Sequence, residues 1–130
     1  MLFKNESKEK FEVFLVTEAN LTASLTETMA QSIIPVLEKD VKNVVLNLKN
    51  VATLDLASCA ILSNLQQKFY DNQASFVICE VQTAVEEVFE QSGYLEVMNI
   101  TPTESEAWDI VQMEEIEREL FGSDDPEAAI

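Results

Sequence analysis

The sequence predicts an α/β fold: a mostly parallel or mixed sheet of four to five strands covered by about four helices. Three observations carry this. Strand-sized apolar runs recur at residues 10–18, 41–48 and 75–81, rich in β-branched and leucine side chains. Stretches of helical periodicity separate them. The connections between are short, and strands that alternate with helices form a largely parallel sheet with helical cover.

The elements follow in order. A short strand near Leu2 and Phe3 opens the chain, and residues 5–9 read as a polar turn. Residues 10–18 place Phe11, Val13 and Leu15 on one face and Phe14 and Val16 on the other, as in a strand covered on both sides. Residues 21–39 carry Leu25, Met29, Ile33, Val36 and Leu37 at helical spacing, with Thr22 or Ser24 as the expected cap. Pro35 removes a backbone donor there and predicts a kink near Gln31. Residues 41–48 are the second core strand. After a short connection at 50–53, Asp55 stands as the expected N-cap of a helix over Leu56–Asp71. Residues 75–81 are the third core strand, and residues 84–92 a short helix closed by Gly93 in the left-handed position. A brief extended segment at 98–101 leads to a last helix over 103–120. Thr103 with Glu106 three residues later is a capping box. Ala107, Ile110, Met113, Ile116 and Leu120 form the stripe expected to dock on the sheet. Removal of residues 114–130 is expected to leave the fold intact. Residues 1–120 read as one domain, and 121–130 as a flexible acidic tail.

Composition narrows the function. With 130 residues, 47% of them apolar, the chain has room for one core. No apolar run approaches the roughly 20 residues of a membrane helix, and the start of the chain lacks a signal-peptide pattern, so the expected location is cytoplasmic. Net charge is −16, with −2 in residues 1–79 and −14 in residues 80–130. The second part repels phosphate backbones and anionic lipid and attracts basic protein surfaces. The expected partner is therefore a protein, with no nucleic acid and no membrane insertion. Solvation of an acidic face is the plain alternative reading of this charge.

Catalytic signals are sparse. The chain has no histidine, which removes the commonest acid-base group and the usual Ser-His-Asp, Cys-His and zinc arrangements. Gly93 and Gly122 are its two glycines, too few for a phosphate-cradling loop. Glu86, Glu87 and Glu90, and the acids between Glu114 and Glu119, stand at the spacing of solvated helix faces. Cys59, in the first turn of a helix, and Cys79, in a core strand, read as small buried hydrophobes; a thiol enzyme using Cys59 is the competing reading. No cofactor and no metal is expected.

The segment VVLNLKNVATLDLASCAILSNL, from Val44 to Leu65, joins a core strand to an apolar-rich helix through Asp55. It resembles the STAS domain family of anti-sigma-factor antagonists and sulfate-transporter tails, in which an acidic residue, Ser/Thr and a glycine stand at this turn. TEANL at 17–21 resembles the family's Gly-Glu-x-Asp-x segment, with Glu18 kept and Asn20 in the Asp place. SFVICEV with QTAVEEVFEQSGYLEVMNI resembles its third strand, short helix and Ser/Thr-Gly-Leu stretch, and TPTESEAWDIV its last helix. The resemblance spans roughly residues 10–112. It implies the STAS-like fold and a non-catalytic regulatory module that binds a protein, either an anti-sigma-factor-type kinase or a complex subunit. It also implies that a Ser/Thr at the turn is phosphorylated in regulatory members. Here the matching places hold Leu56 and Ala57, and the glycine place holds Ser58, so the usual phospho-switch is absent. The expected partner surface is Asp55, Leu56, Ala57 and Ser58 with Asn64, Gln67 and Lys68. Ser58 is a displaced candidate phosphoacceptor, against the simpler expectation that it bonds within the first helical turn. A small-ligand sensor for a nucleotide or anion, or a STAS-type subunit of a transport complex, are the alternatives.

Overall fold

A computed structural model describes residues 2–122. Seven strands and four α-helices follow in the order β1 (Phe3–Ser7), β2 (Glu12–Val16), β3 (Asn20–Leu21), α1 (Ala23–Ile33), β4 (Val44–Asn47), β5 (Thr53–Leu54), α2 (Leu56–Asp71), β6 (Phe76–Cys79), α3 (Thr83–Gln91), β7 (Ile100–Thr101) and α4 (Glu104–Glu117). The main sheet has five strands in the order β1-β2-β4-β6-β7. Only β1 is antiparallel to its neighbour; β2, β4, β6 and β7 run parallel. The α/β class and the mixed sheet are thus as expected.

β4 and β6 are buried at every position, which is why their sequences run apolar without alternation. One face packs Phe14, Val16, Leu46, Phe76 and Ile78 against α1, α2 and α3. The other packs Phe11, Val13, Val45 and Val77 against α4 through Ala107 and Val111. Five strands span about 20 Å and a helix about 10 Å, so α4 alone covers only the middle of its face. Its two flanks stay open as shallow grooves.

Four expectations need correction. Residues 5–7 are strand, not turn: Asn5, Glu6 and Ser7 pair with Phe14, Val13 and Glu12, and their polar side chains face solvent from an edge strand. The first long helix, expected over residues 21–39 with a kink near Gln31, ends at Ile33. A 3-10 turn, Ile34–Glu38, takes over with Pro35 in its first turn, where the missing N–H costs nothing. The docking stripe of α4 is displaced. Ala107 is buried and Ile110 half-buried, but Met113, Ile116 and Leu120 are exposed. The places they were expected to fill belong to Val111, Glu114 and Arg118. Finally, the last helix, expected over 103–120, ends as an α-helix at Glu117 and continues as a π-helical turn over Arg118–Gly122. Residues 123–130 of the expected acidic tail lie outside the described residues.

The polar half of α4 is tied down as firmly as its apolar half. The Glu114 carboxylate accepts from Tyr70 Oη at 2.7 Å and from Ser75 Oγ at 2.5 Å. Asn99 Nδ2 donates to Tyr70 Oη. Arg118 Nη2 donates to Ser75 Oγ at 3.1 Å and to Asn43 Oδ1 at 3.3 Å, and Asn43 Oδ1 also accepts from Ser75 N at 2.8 Å. Burial, and then the neighbouring Glu114 carboxylate, hold the Tyr70 phenol protonated well above its ordinary range. Removal of residues 114–130 therefore strips the network from α2, β4 and β6, contrary to the expectation of an intact fold. Glu114→Ala leaves the Tyr70 and Ser75 hydroxyls without their acceptor and is expected to cost about 2 kcal/mol. Urea unfolding checks this, and the deletion should lower the midpoint further.

Candidate functional site

The starts of α1 and α2 are built side by side. β3 pairs in parallel with β5, Asn20 against Thr53 and Leu21 against Leu54, to form a second, two-stranded sheet. Three links join the helix starts across it. Thr53 Oγ1 donates to Asn20 Oδ1 at 2.8 Å. Ala23 N donates to Asp55 Oδ2 at 3.0 Å, while Asp55 N donates to Leu21 O at 3.1 Å. The Thr26 and Ser58 hydroxyls lie 2.8 Å apart in the buried seam.

Asp55 has the extended backbone of an N-cap, but its carboxylate makes no capping bond within α2. It serves the first N–H of α1 instead, and so acts on the positive end of the neighbouring helix. The expectation of a self-capping Asp55 is corrected in this respect. In α1 itself Thr22 is the cap, accepting from Leu25 N at 3.1 Å. Ser58 N donates to Asp55 O at 2.9 Å, but its hydroxyl is engaged with Thr26 on the other helix, not within its own first turn.

The expected surface residues divide in two. Asp55, Leu56, Ala57, Asn64, Gln67 and Lys68 are exposed, Leu56 at 60%. Ser58 is fully buried. Ala57, Asn64 and Lys68 share one side of α2 at helical spacing with half-buried Ile61. Beside them a groove of about 250 Å³ opens between α1 and α2. Ala30, Ile34, Ile61 and Leu65 line it, with Glu27 and Lys68 at its edges. The turn and the groove make one continuous surface, part apolar and nearly neutral. The β3–β5 ladder and the Thr26–Ser58 contact were not expected from sequence. The signal available was the repeat of a polar residue, leucine and a capping residue, Asn20-Leu21-Thr22 and Thr53-Leu54-Asp55, before each helix.

Neither cysteine has the surroundings of a nucleophile. Cys59 is fully buried, and burial raises its thiol above the ordinary value in spite of a hydrogen bond with Ser92. Burial, with the charges of Glu80 and Glu104 adding to it, pushes Cys79 up to about 12. Cys79 Sγ and one oxygen each of Glu80 and Glu104 lie within 4.8 Å of one another, the geometry a cation needs. The two carboxylates already accept, from Glu104 N at 3.2 Å and from Asn47 Nδ2 at 3.1 Å. Both carboxylates are thus engaged at the start of α4.

Two substitutions test this account of the seam. Asp55→Ala should cost about 1 kcal/mol, as loss of a cap does, and the opening of the Ala23 amide should appear in hydrogen exchange. Ser58→Glu should unfold the chain or cost more than about 3 kcal/mol, because it forces a charge into a closed seam; thermal melts give the comparison.

The STAS domain family model matches residues 6–107. Among solved structures, a Thermotoga maritima protein provisionally assigned as an anti-sigma factor antagonist superposes with a TM-score of 0.75 at 18% identity, over 85% of this chain and 94% of that one. The phosphorylated form of the Bacillus cell fate determinant SpoIIAA gives 0.62 at 18% identity, over 84% of this chain and 98% of that one. The murine anion transporter Slc26a9 gives 0.68 at 15% identity, over 83% of this chain but 18% of the transporter. The family model covers most of the chain, and the chain belongs to the STAS domain family.

Proposed function

We propose that this STAS domain is a non-catalytic regulatory module that binds a protein partner through the start of α2 and the α1–α2 groove, and that it lacks the phospho-switch of its family. The observation that carries the reading is Leu56. An apolar side chain 60% exposed, on a turn held by the Asp55–Ala23 bond, is pre-organised for a partner's pocket. Asp55, Ala57, Asn64, Gln67 and Lys68 extend the contact along about 20 Å of helix.

The position where the family pattern puts its acceptor is Ala57, which carries no hydroxyl. Ser58 has one, but its full burial against Thr26 keeps it from a kinase unless α1 and α2 separate. Binding is then constitutive, set by concentration and not by phosphate. An anti-sigma-factor-type kinase domain is the first partner class to test. A subunit of a transport complex is the second, and the structural match to the murine transporter supports it. A nucleotide or anion ligand is disfavoured by the net charge of −16.

Titration calorimetry with candidate partners encoded beside the gene tests the surface. Leu56→Glu should weaken binding about tenfold or more while leaving the melting temperature nearly unchanged, since the side chain is exposed. Undiminished binding by Leu56→Glu and by Lys68→Glu together would remove the proposal.

A further inference from the structure

The main sheet ends on an open edge at β1. Thr17 N donates to Leu2 O at 2.9 Å, and Lys8 N to Phe11 O at 2.8 Å. In an antiparallel ladder the residues bonded to one neighbour recur at every second position, so Lys4 and Glu6 also turn their backbone groups to β2. Phe3, Asn5 and Ser7 turn theirs outward, where, among the described residues, the sheet has no further strand. Lys4, Asn5, Glu6 and Ser7 are exposed. The strand has neither a proline nor a bulge to blunt its edge. Its two charges, Lys4 and Glu6, stand opposite Leu15 and Val13, on the face of the sheet that α4 covers.

We propose that β1 pairs with β1 of a second copy of this chain, antiparallel about a two-fold axis at Asn5, so that two five-stranded sheets become one. Backbone and charge together select this register. Outward groups meet outward groups only when Phe3, Asn5 and Ser7 pair among themselves. With Asn5 opposite Asn5 of the second copy, Phe3 stands opposite Ser7, and the outward N–H and C=O groups of all three residues find partners. Lys4 then faces Glu6 of the second copy, and Glu6 faces its Lys4. Both are non-hydrogen-bonded positions, where side chains approach most closely and opposite charges attract. A slip of two residues one way sets Lys4 against Lys4, and the other way Glu6 against Glu6. Lys4 makes no ion pair among the described residues. Glu6 Oε2 accepts from Lys8 Nζ at 3.2 Å, an exposed contact that leaves Oε1 for Lys4 of the second copy. Of the net charge of −16, −14 lies in residues 80–130, whereas residues 1–10 hold Lys4, Lys8 and Lys10 against Glu6 and Glu9. Repulsion between two acidic copies is therefore not concentrated at this edge. The reading of α2 plays no part in the inference.

Sedimentation velocity of the full chain across a concentration series tests it. The wild type should pass from monomer to dimer as concentration rises. Asn5→Pro removes an outward N–H and spares the β1–β2 ladder, so it should abolish the dimer while circular dichroism shows the fold kept. Lys4→Glu and Glu6→Lys each set like charges opposite one another and should weaken association about tenfold or more. Both substitutions in one chain should restore the dimer, and an equimolar mixture of the two single variants should form a mixed dimer. Met113→Ser with Ile116→Ser should change nothing. A wild type that stays monomeric throughout would overturn the proposal, as would a dimer that survives Asn5→Pro. So would charge reversals that the double variant fails to rescue, or a dimer that the α4 serine variant dissolves.

Discussion

The carboxylate of Asp55 accepts from the first backbone N–H of α1, 3.0 Å away, while Asp55 itself begins α2. Two helix starts are thereby joined at one residue. The four unpaired N–H groups at the head of a helix have to find acceptors, and a charged acceptor there also gains from the helix dipole. Because the acceptor comes from the neighbouring helix, the turn between β5 and α2 is held from outside. What it exposes follows from this. Leu56 and Ala57 point to water, and the next residue, Ser58, closes against Thr26 in the buried seam. The Ser58 hydroxyl is hidden there, 2.8 Å from that of Thr26.

The two faces of the sheet are solved differently. Three helices cover one face, and their contacts with the sheet are apolar. A single helix covers the other, and about half of its hold is polar, through Glu114 and Arg118. A network of this kind adds little stability over an apolar core, but each member leaves a costly unpaired group if removed. It fixes the rotation of α4 about its own axis. That rotation sends Met113, Ile116 and Leu120 outward, so the acidic helix is both a structural cover and an exposed surface.

Much of this was legible in the sequence, for reasons that differ by element. β2, β4 and β6 read clearly because burial on both faces demands continuous apolar runs. The exposed side of α2 read clearly because Asn64, Gln67 and Lys68 stand where an amphipathic helix meets water. The β3–β5 ladder was invisible, since two residues a strand carry no periodicity. The face of α4 was misread for a physical reason. Helical spacing finds an apolar stripe but not what the stripe meets, and here Tyr70, Ser75 and Asn43, distant in sequence, draw Glu114 and Arg118 inward instead. The family resemblance drew attention to the turn at Asp55. It did not reveal that Asp55 caps the other helix, because that bond spans 32 residues of chain.

The central claim is that the start of α2 is a constitutive protein-binding surface with no phosphate handle. Backbone amide NMR during titration with an anti-sigma-factor-type kinase domain, with and without ATP, tests it most directly. The account predicts perturbed amides from Asp55 to Lys68 and along the facing side of α1, identical in both conditions. A new amide position for Ser58 characteristic of phosphoserine, appearing only with ATP and accompanied by release of the partner, would contradict it.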